Sequence, residues 1–263
     1  MHMCGGSLIS TIHVLTAAHC FQEDIDAGAF SIPVSVEVGS TVIGQGQRFG
    51  IKRVSYYAGY GNRLSGKSNE NDIGVVHLSS PVTISSTVAT INLPAPYTPV
   101  LPLTPVILTG FGTWYFGTSK VSGPMSPVLK RLDAVIVSTT ECDQYYKEKM
   151  GSYVSSDKIC AKRGPGYGAC RGDSGGPLVD STKSIVLGVV SGGDAECSNG
   201  QPDTYTDVSQ FIPYIYEELY YVPGTVNQHP AINIEWSIQQ NSIPTNQIYL
   251  SQNQYPTYWL GYQ

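Results

Sequence analysis

Charge is scarce in this chain. Asp, Glu, Lys and Arg make up 13% of its 263 residues, about half the share usual in a soluble domain. Acids outnumber bases by 20 to 15, for a formal charge of −5. That balance argues against nucleic acid or an anionic membrane surface as a partner. Long apolar runs are missing too: no stretch reaches the roughly 18 residues of a membrane-spanning helix. Met1-His2-Met3-Cys4 has no Lys or Arg, so it does not open like a secretory leader. CxxC pairs and Cys/His clusters are also absent, which leaves no zinc motif, and neither metal nor cofactor is expected.

What is abundant points to β-structure. Gly 28 and Pro 17, with many Ser, Thr, Val and Tyr, favour short strands broken by turns. Residues 7–17, 34–42, 49–54 and 73–78 read as strands. The proline-rich run 93–99 reads as a connector, unable to form a regular ladder or helix. A second set of strands follows at 106–110, 128–137, 177–179, 185–191 and 203–208. Phe211, Ile212, Ile215 and Leu219 then recur at helical spacing over 209–220. The six cysteines fit three disulfides formed in an oxidising compartment, though their spacing leaves the pairing open.

Three short segments carry chemistry. They are Leu15-Thr16-Ala17-Ala18-His19-Cys20, Asn71-Asp72-Ile73-Gly74 and Gly172-Asp173-Ser174-Gly175-Gly176-Pro177. A serine flanked by glycines lets the main chain pass close to a substrate and turn its N–H groups toward one point. Its hydroxyl is a weak nucleophile until a base takes its proton, and that base needs an orienting carboxylate.

In this order and these contexts the sequence resembles the chymotrypsin/trypsin family of serine proteases, from Met3-Cys4-Gly5-Gly6-Ser7-Leu8 to about Tyr220. The resemblance implies an all-β fold of two antiparallel β-barrels of the six-stranded type. Barrel one would span 1–98 and barrel two 99–208, with a closing helix over 209–220. His19 would be the general base and then the general acid, Asp72 its orienter and Ser174 the nucleophile. The main-chain N–H groups of Gly172 and Ser174 would bind the oxyanion, and Ser191 would donate to Asp72. The implied disulfides are Cys4–Cys20, Cys142–Cys160 and Cys170–Cys197. Arg171-Gly172-Asp173 as an integrin tripeptide loses to this reading, because it lies inside the protease motif. The resemblance further implies an extracellular, secreted monomer acting on protein or peptide substrates and open to proteinaceous inhibitors, with no nucleic acid or membrane partner.

Specificity is less clearly written. In relatives the pocket floor lies six residues before the nucleophile, where an aspartate selects Lys or Arg. Here Gly168 holds that place, followed by Ala169, which favours apolar or mixed side chains. Asp203, in Pro202-Asp203-Thr204-Tyr205, stands where relatives line the same pocket with glycine. A buried carboxylate there needs a cation, and substrate Lys or Arg would supply one. Basic or mixed specificity through Asp203 is one expectation; apolar specificity with a water-bridged acid is the other. Ser191-Gly192-Gly193 would bond an extended substrate main chain. Gly192 replaces the Trp or Phe of relatives and leaves that subsite open. Arg171 reads either as a pocket-mouth cation for acidic residues on the leaving side or as an ordinary solvated arginine. Glu37 is the sole acid between Ser35 and Ser55, so no calcium loop is expected.

The front departs from the family. Relatives begin, after activation cleavage, with a short Ile-Val-Gly-Gly segment whose ammonium sits beside the acid preceding the nucleophile, here Asp173. This sequence has no such segment and lacks the first strand of barrel one. In inactive precursors a histidine before Cys-Gly-Gly can hold that acid. His2 stands there, either in that role or as an inert terminal residue. Two functional readings follow: a secreted serine endopeptidase whose signal and activation segments lie outside this sequence, and a precursor-like, non-catalytic homologue that binds or decoys. Residues 221–263 have no Lys, Arg or Cys and one acid, Glu235. They read as a low-complexity Gln/Asn/Tyr/Pro tail, with a carbohydrate-contacting appendage on Trp236, Tyr258 and Trp259 as the alternative.

Overall fold

A computed structural model describes residues 2–21, 34–61, 69–113, 123–194, 197, 199–222, 231–235 and 246–250. The first sheet is built from β1 (His2–Ser10), β2 (His13–Thr16), β3 (Val34–Val38), β4 (Gln47–Tyr57) and β5 (Gly74–Leu78). The early run expected as one strand folds back at Thr11-Ile12, and Ser7 then pairs with Leu15. No glycine or proline marks that turn. β3 ends at Val38 because Gly39 takes φ 86°, a left-handed conformation. The long β4 pairs with β3 through Gln47–Gly50 and with β5 through Ile51–Tyr56, which curls the sheet into a barrel-like shape.

The second sheet contains β6 (Pro105–Gly110), β7 (Lys130–Val137), β8 (Lys158–Lys162), β9 (Pro177–Asp180), β10 (Val186–Gly192) and β11 (Asp203–Asp207). It closes as a barrel in the order β10-β11-β8-β7-β6-β9. Val106, Leu108, Ile136, Leu178, Val190 and Tyr205 fill its interior. The fold is thus all-β, two barrel-like sheets followed by a closing helix.

Among the described residues two α-helices lie outside the sheets. α1 (Thr139–Met150) was not read from the sequence, because only Cys142 and Tyr146 on it are buried. Its caps are nonetheless written locally: Ser138 Oγ accepts from the Glu141 N–H at 3.1 Å, and Gly151 ends the helix at φ 63°. α2 (Ile212–Leu219) follows a 3₁₀ turn, Val208–Phe211, and its Ile212 and Ile215 complete the core of barrel one.

Among the described residues two strands come from the segment read as a low-complexity tail. β12 (Ala231–Glu235) pairs antiparallel with β4, and β13 (Asn246–Leu250) runs parallel between β1 and β3. Composition alone hides these strands because their partners lie near the opposite end of the sequence. Trp236, Tyr258 and Trp259, offered above as carbohydrate contacts, lie outside the described residues.

α2 is fastened to barrel one by a buried charge cluster. Glu218 is fully buried and accepts from Arg53 Nη2 at 2.8 Å and His77 Nε2 at 3.0 Å. Tyr221 covers the guanidinium, with Arg53 Cζ 4.0 Å from the ring centre. Burial alone would raise the Glu218 carboxyl, but the His77 hydrogen bond and the Arg53 charge hold it below the usual range. Removing one partner of a buried pair strands the other charge, at about 3–5 kcal/mol. Glu218→Gln is therefore expected to lower unfolding free energy by about that amount in chemical denaturation; a loss below about 1 kcal/mol contradicts the fastening role.

Candidate active site

His19 lies in the 3₁₀ turn Ala18–Phe21 that follows β2. Asp72, fully buried, precedes β5. Its Oδ1 accepts the His19 backbone N–H at 2.9 Å, and its Oδ2 accepts from His19 Nδ1 at 2.7 Å. Ser191 Oγ donates to the same Oδ2 at 2.7 Å. Burial would raise the Asp72 carboxyl, but the charge and hydrogen bond of His19, then Lys158 and the Ser191 hydroxyl, bring it below its ordinary value. An ionised carboxylate only accepts, so Nδ1 carries a proton, and in the neutral ring the lone pair lies on Nε2, away from Asp72.

Barrel two holds this loop of barrel one. Thr206 Oγ1 donates to the Asp72 carbonyl at 2.8 Å. Asp157 accepts the Asn71 N–H at 2.9 Å and is itself paired with Lys158 Nζ at 2.6 Å. None of Thr206, Asp157 and Lys158 was read from the sequence, and no local signal marks them: each acts across the seam between the sheets.

Ser174 is carried to the same seam by its backbone. The Gly5 N–H of β1 donates to the Ser174 carbonyl at 2.7 Å, and the Gly175 N–H donates to Val190 of β10 at 2.9 Å. Gly175 has φ 76°, and a Cβ there would lie 2.3 Å from Thr16 Oγ1 and 2.6 Å from the Gly5 carbonyl oxygen. Only glycine allows the serine loop to approach barrel one this closely. Cys4 joins Cys20, the neighbour of His19, so β1 is tied both to the imidazole turn and to Ser174. Cys142–Cys160 fastens α1 to β8, and Cys170–Cys197 links the serine loop to the segment ahead of β11.

Around Asp203 the structure gathers Gly168, Ala169 and Gly193. The Ala169 N–H donates to Asp203 Oδ2 at 2.7 Å. A Cβ on Gly193 would lie 2.3 Å from Oδ1, and one on Gly168 3.2 Å from Oδ2. Asp203 is 3% exposed, and burial raises its carboxyl to about 8 against the pull of the Ala169 N–H, with Asp173 and Asp194 adding to the rise. Ser191, Gly192 and Gly193 line a cleft with Tyr146, Tyr153 and Thr204. The Gly192 carbonyl accepts from Thr204 Oγ1 at 3.1 Å. Arg171 is exposed and offers its carbonyl to the Thr113 N–H at 2.9 Å.

Asp173 is buried behind Ser174. It accepts from the Gly112 N–H at 2.8 Å and the Cys170 N–H at 3.0 Å. Burial outweighs these bonds and raises its carboxyl to about 6. His2 takes neither of its expected parts. It is 5% exposed, and its Nε2 lies 2.7 Å from the Gly172 carbonyl oxygen, so it meets the main chain of the serine loop. Cys4, His19 and Cys20 cluster as metal ligands do, but the disulfide leaves no thiolate. Among the described residues no helix is long and apolar enough to cross a membrane.

Two barrel-like β-sheets, with a buried aspartate bonded to a partly exposed histidine and a glycine-flanked serine at their seam, define a chymotrypsin-like protein. The family model described as Trypsin matches residues 1–215. Brachyurin of Leptuca pugilator is 34% identical over 224 residues, 85% of this chain and 90% of that protein. Transmembrane protease serine 11G of Rattus norvegicus is 33% identical over 219 residues, and transmembrane protease serine 11A of Homo sapiens 32% over 221. The chain spans 49% of the length of each of these two relatives. The structure of neuropsin, a serine protease expressed in the limbic system of mouse brain, aligns with TM-score 0.68 at 23% identity, over 82% of this chain and 89% of its own. The chain belongs to the trypsin family and is a serine-type endopeptidase, with protein substrates.

Proposed function

We propose that this protein hydrolyses peptide bonds through an acyl-enzyme on Ser174, outside the cell, with a primary pocket that takes Lys and Arg alongside apolar side chains. The observation that carries the proposal is the hydrogen-bonded chain from Ser191 through buried Asp72 to His19 Nδ1. It leaves Nε2 as the base. His19 takes the Ser174 proton as Oγ attacks the substrate carbonyl, then returns it to the leaving amine. The N–H groups of Gly172 and Ser174 receive the oxyanion, where each such donor is worth about 3–4 kcal/mol. Gly192 and Gly193 bond the extended substrate, and Asp203 is the acid that receives a cationic side chain. A fluorophosphonate is expected to label the full-length protein at Ser174, and Ser174→Ala to abolish the label.

One observation favours a second reading, a non-catalytic homologue that binds. Asp173 is buried with its carboxyl raised to about 6, and among the described residues no cation pairs with it. The labelling experiment separates the two: an unlabelled wild type supports the binding protein and sinks the enzyme.

A further inference from the structure

Barrel one is completed by the far end of its own chain. Pairings run from β4 through β3, β13, β1, β2 and β5 and back to β4. Among the described residues β13 is the only link between β1 and β3. It lies parallel to both. Gln247, Ile248, Tyr249 and Leu250 pair with His2, Cys4, Gly5 and Gly6; Asn246 through Tyr249 pair with Val34 through Glu37. A strand without a neighbour presents a row of unpaired N–H and C=O groups. β13 covers two such edges at once.

The β1 residues that β13 engages are those that reach the serine loop. His2 meets the Gly172 carbonyl, Gly5 donates to the Ser174 carbonyl, and Cys4 is bonded to the neighbour of His19. We infer that residues 246–250 are a built-in donor strand that positions the active site. They hold β1 in the register at which His2 and Gly5 fix the main chain of Gly172 and Ser174. This strand lies beyond the span 1–215 that the family model matches. The catalytic machinery therefore depends on a segment that the family pattern does not contain. The inference rests on the acyl-enzyme reading only where rates are concerned.

The test uses the full chain and two variants, Ile248→Pro and Tyr249→Pro. Successive residues of a parallel strand turn their N–H groups to opposite neighbours, so each proline removes a bond toward a different flank. In the wild type, amide hydrogen exchange is expected to show 246–250 protected as strongly as the strands of barrel two. Exchange there at the rate of a free peptide overturns the inference. In the variants the Gly5 amide, bonded to Ser174, is expected to exchange at least about tenfold faster; an unchanged Gly5 rate also overturns it. Neither measurement needs activity, so failure of the catalytic reading stays distinct. With kcat counted per titrated active site, the variants should fall roughly 10- to 100-fold, the order that a misplacement of about 1 Å costs. KM should move less than about threefold, because the main loss is in positioning rather than binding. A fold merely weakened would lose titratable sites and keep the rate per site, which would count against the positioning role. If the prolines prevent folding, the wild-type exchange pattern decides.

Discussion

Asp72→Asn is expected to leave the fold intact and lower kcat by about 10⁴-fold. The reason lies in which atom of the new amide can go where. Asp72 Oδ1 accepts a backbone N–H, that of His19 at 2.9 Å, and a main-chain donor cannot reverse. The asparagine must therefore keep its oxygen there and turn its NH₂ toward His19 Nδ1, which lies 2.7 Å from Oδ2. An amide NH₂ only donates. The imidazole then accepts at Nδ1 and carries its proton on Nε2, where the lone pair was needed for Ser174. Ser191 Oγ can rotate from donor to acceptor, so it offers no resistance to the wrong tautomer. Steady-state rates on a peptide amide substrate check this, with a denaturation midpoint to show the fold unchanged. A variant within about tenfold of wild type would remove Asp72 from the mechanism.

The same residues mark what a sequence can and cannot disclose. The proposed His19, Asp72 and Ser174 could be singled out because each sits in a short local context whose spacing carries its meaning, and the structure pairs the first two. The groups that hold them were not. Thr206 on the Asp72 carbonyl and Asp157 on the Asn71 N–H reach across the seam from barrel two, and a single sequence has no register for such pairs. α1 was missed for another reason. Its mostly exposed, polar face gives no apolar period, although Ser138, Glu141 and Gly151 spell its caps. The Arg53–His77–Glu218 cluster joins β4, β5 and α2, and solvent exposure is the default reading of an isolated charge in sequence. For β13, strand formation is favoured by Ile and Tyr, but a parallel partner some 240 residues away is set only by tertiary closure. His2 departs from both of its readings, as a carboxylate partner and as an inert terminal residue: the ring is buried and reaches the main-chain carbonyl of Gly172.

Substrate choice is expected to change with pH through Asp203. With its carboxyl raised to about 8, the empty pocket is largely neutral at pH 6–7 and accepts apolar side chains without stranding a charge. A Lys or Arg side chain needs the ionised form. Below about 8 the ionised fraction falls tenfold per pH unit. The ratio of kcat/KM for an Arg peptide to that for a Leu peptide should therefore climb by up to about tenfold per unit and level off above pH 8. A protonation step of the free enzyme that both substrates share cancels from the ratio. Stability carries the matching sign. The native carboxyl keeps a proton that the unfolded chain releases above its ordinary 3.8, so Asp203 costs stability progressively between 3.8 and about 8, at about 1.4 kcal/mol per pH unit. Asp203→Asn can keep its oxygen on the Ala169 N–H while losing the charge. It should flatten the ratio, cut Arg and Lys cleavage by about 10²- to 10³-fold and leave Leu cleavage nearly unchanged. It should also gain stability over the wild type as pH rises toward 8. A wild-type ratio that does not move with pH, or Arg cleavage that survives the asparagine, would take Asp203 out of substrate recognition.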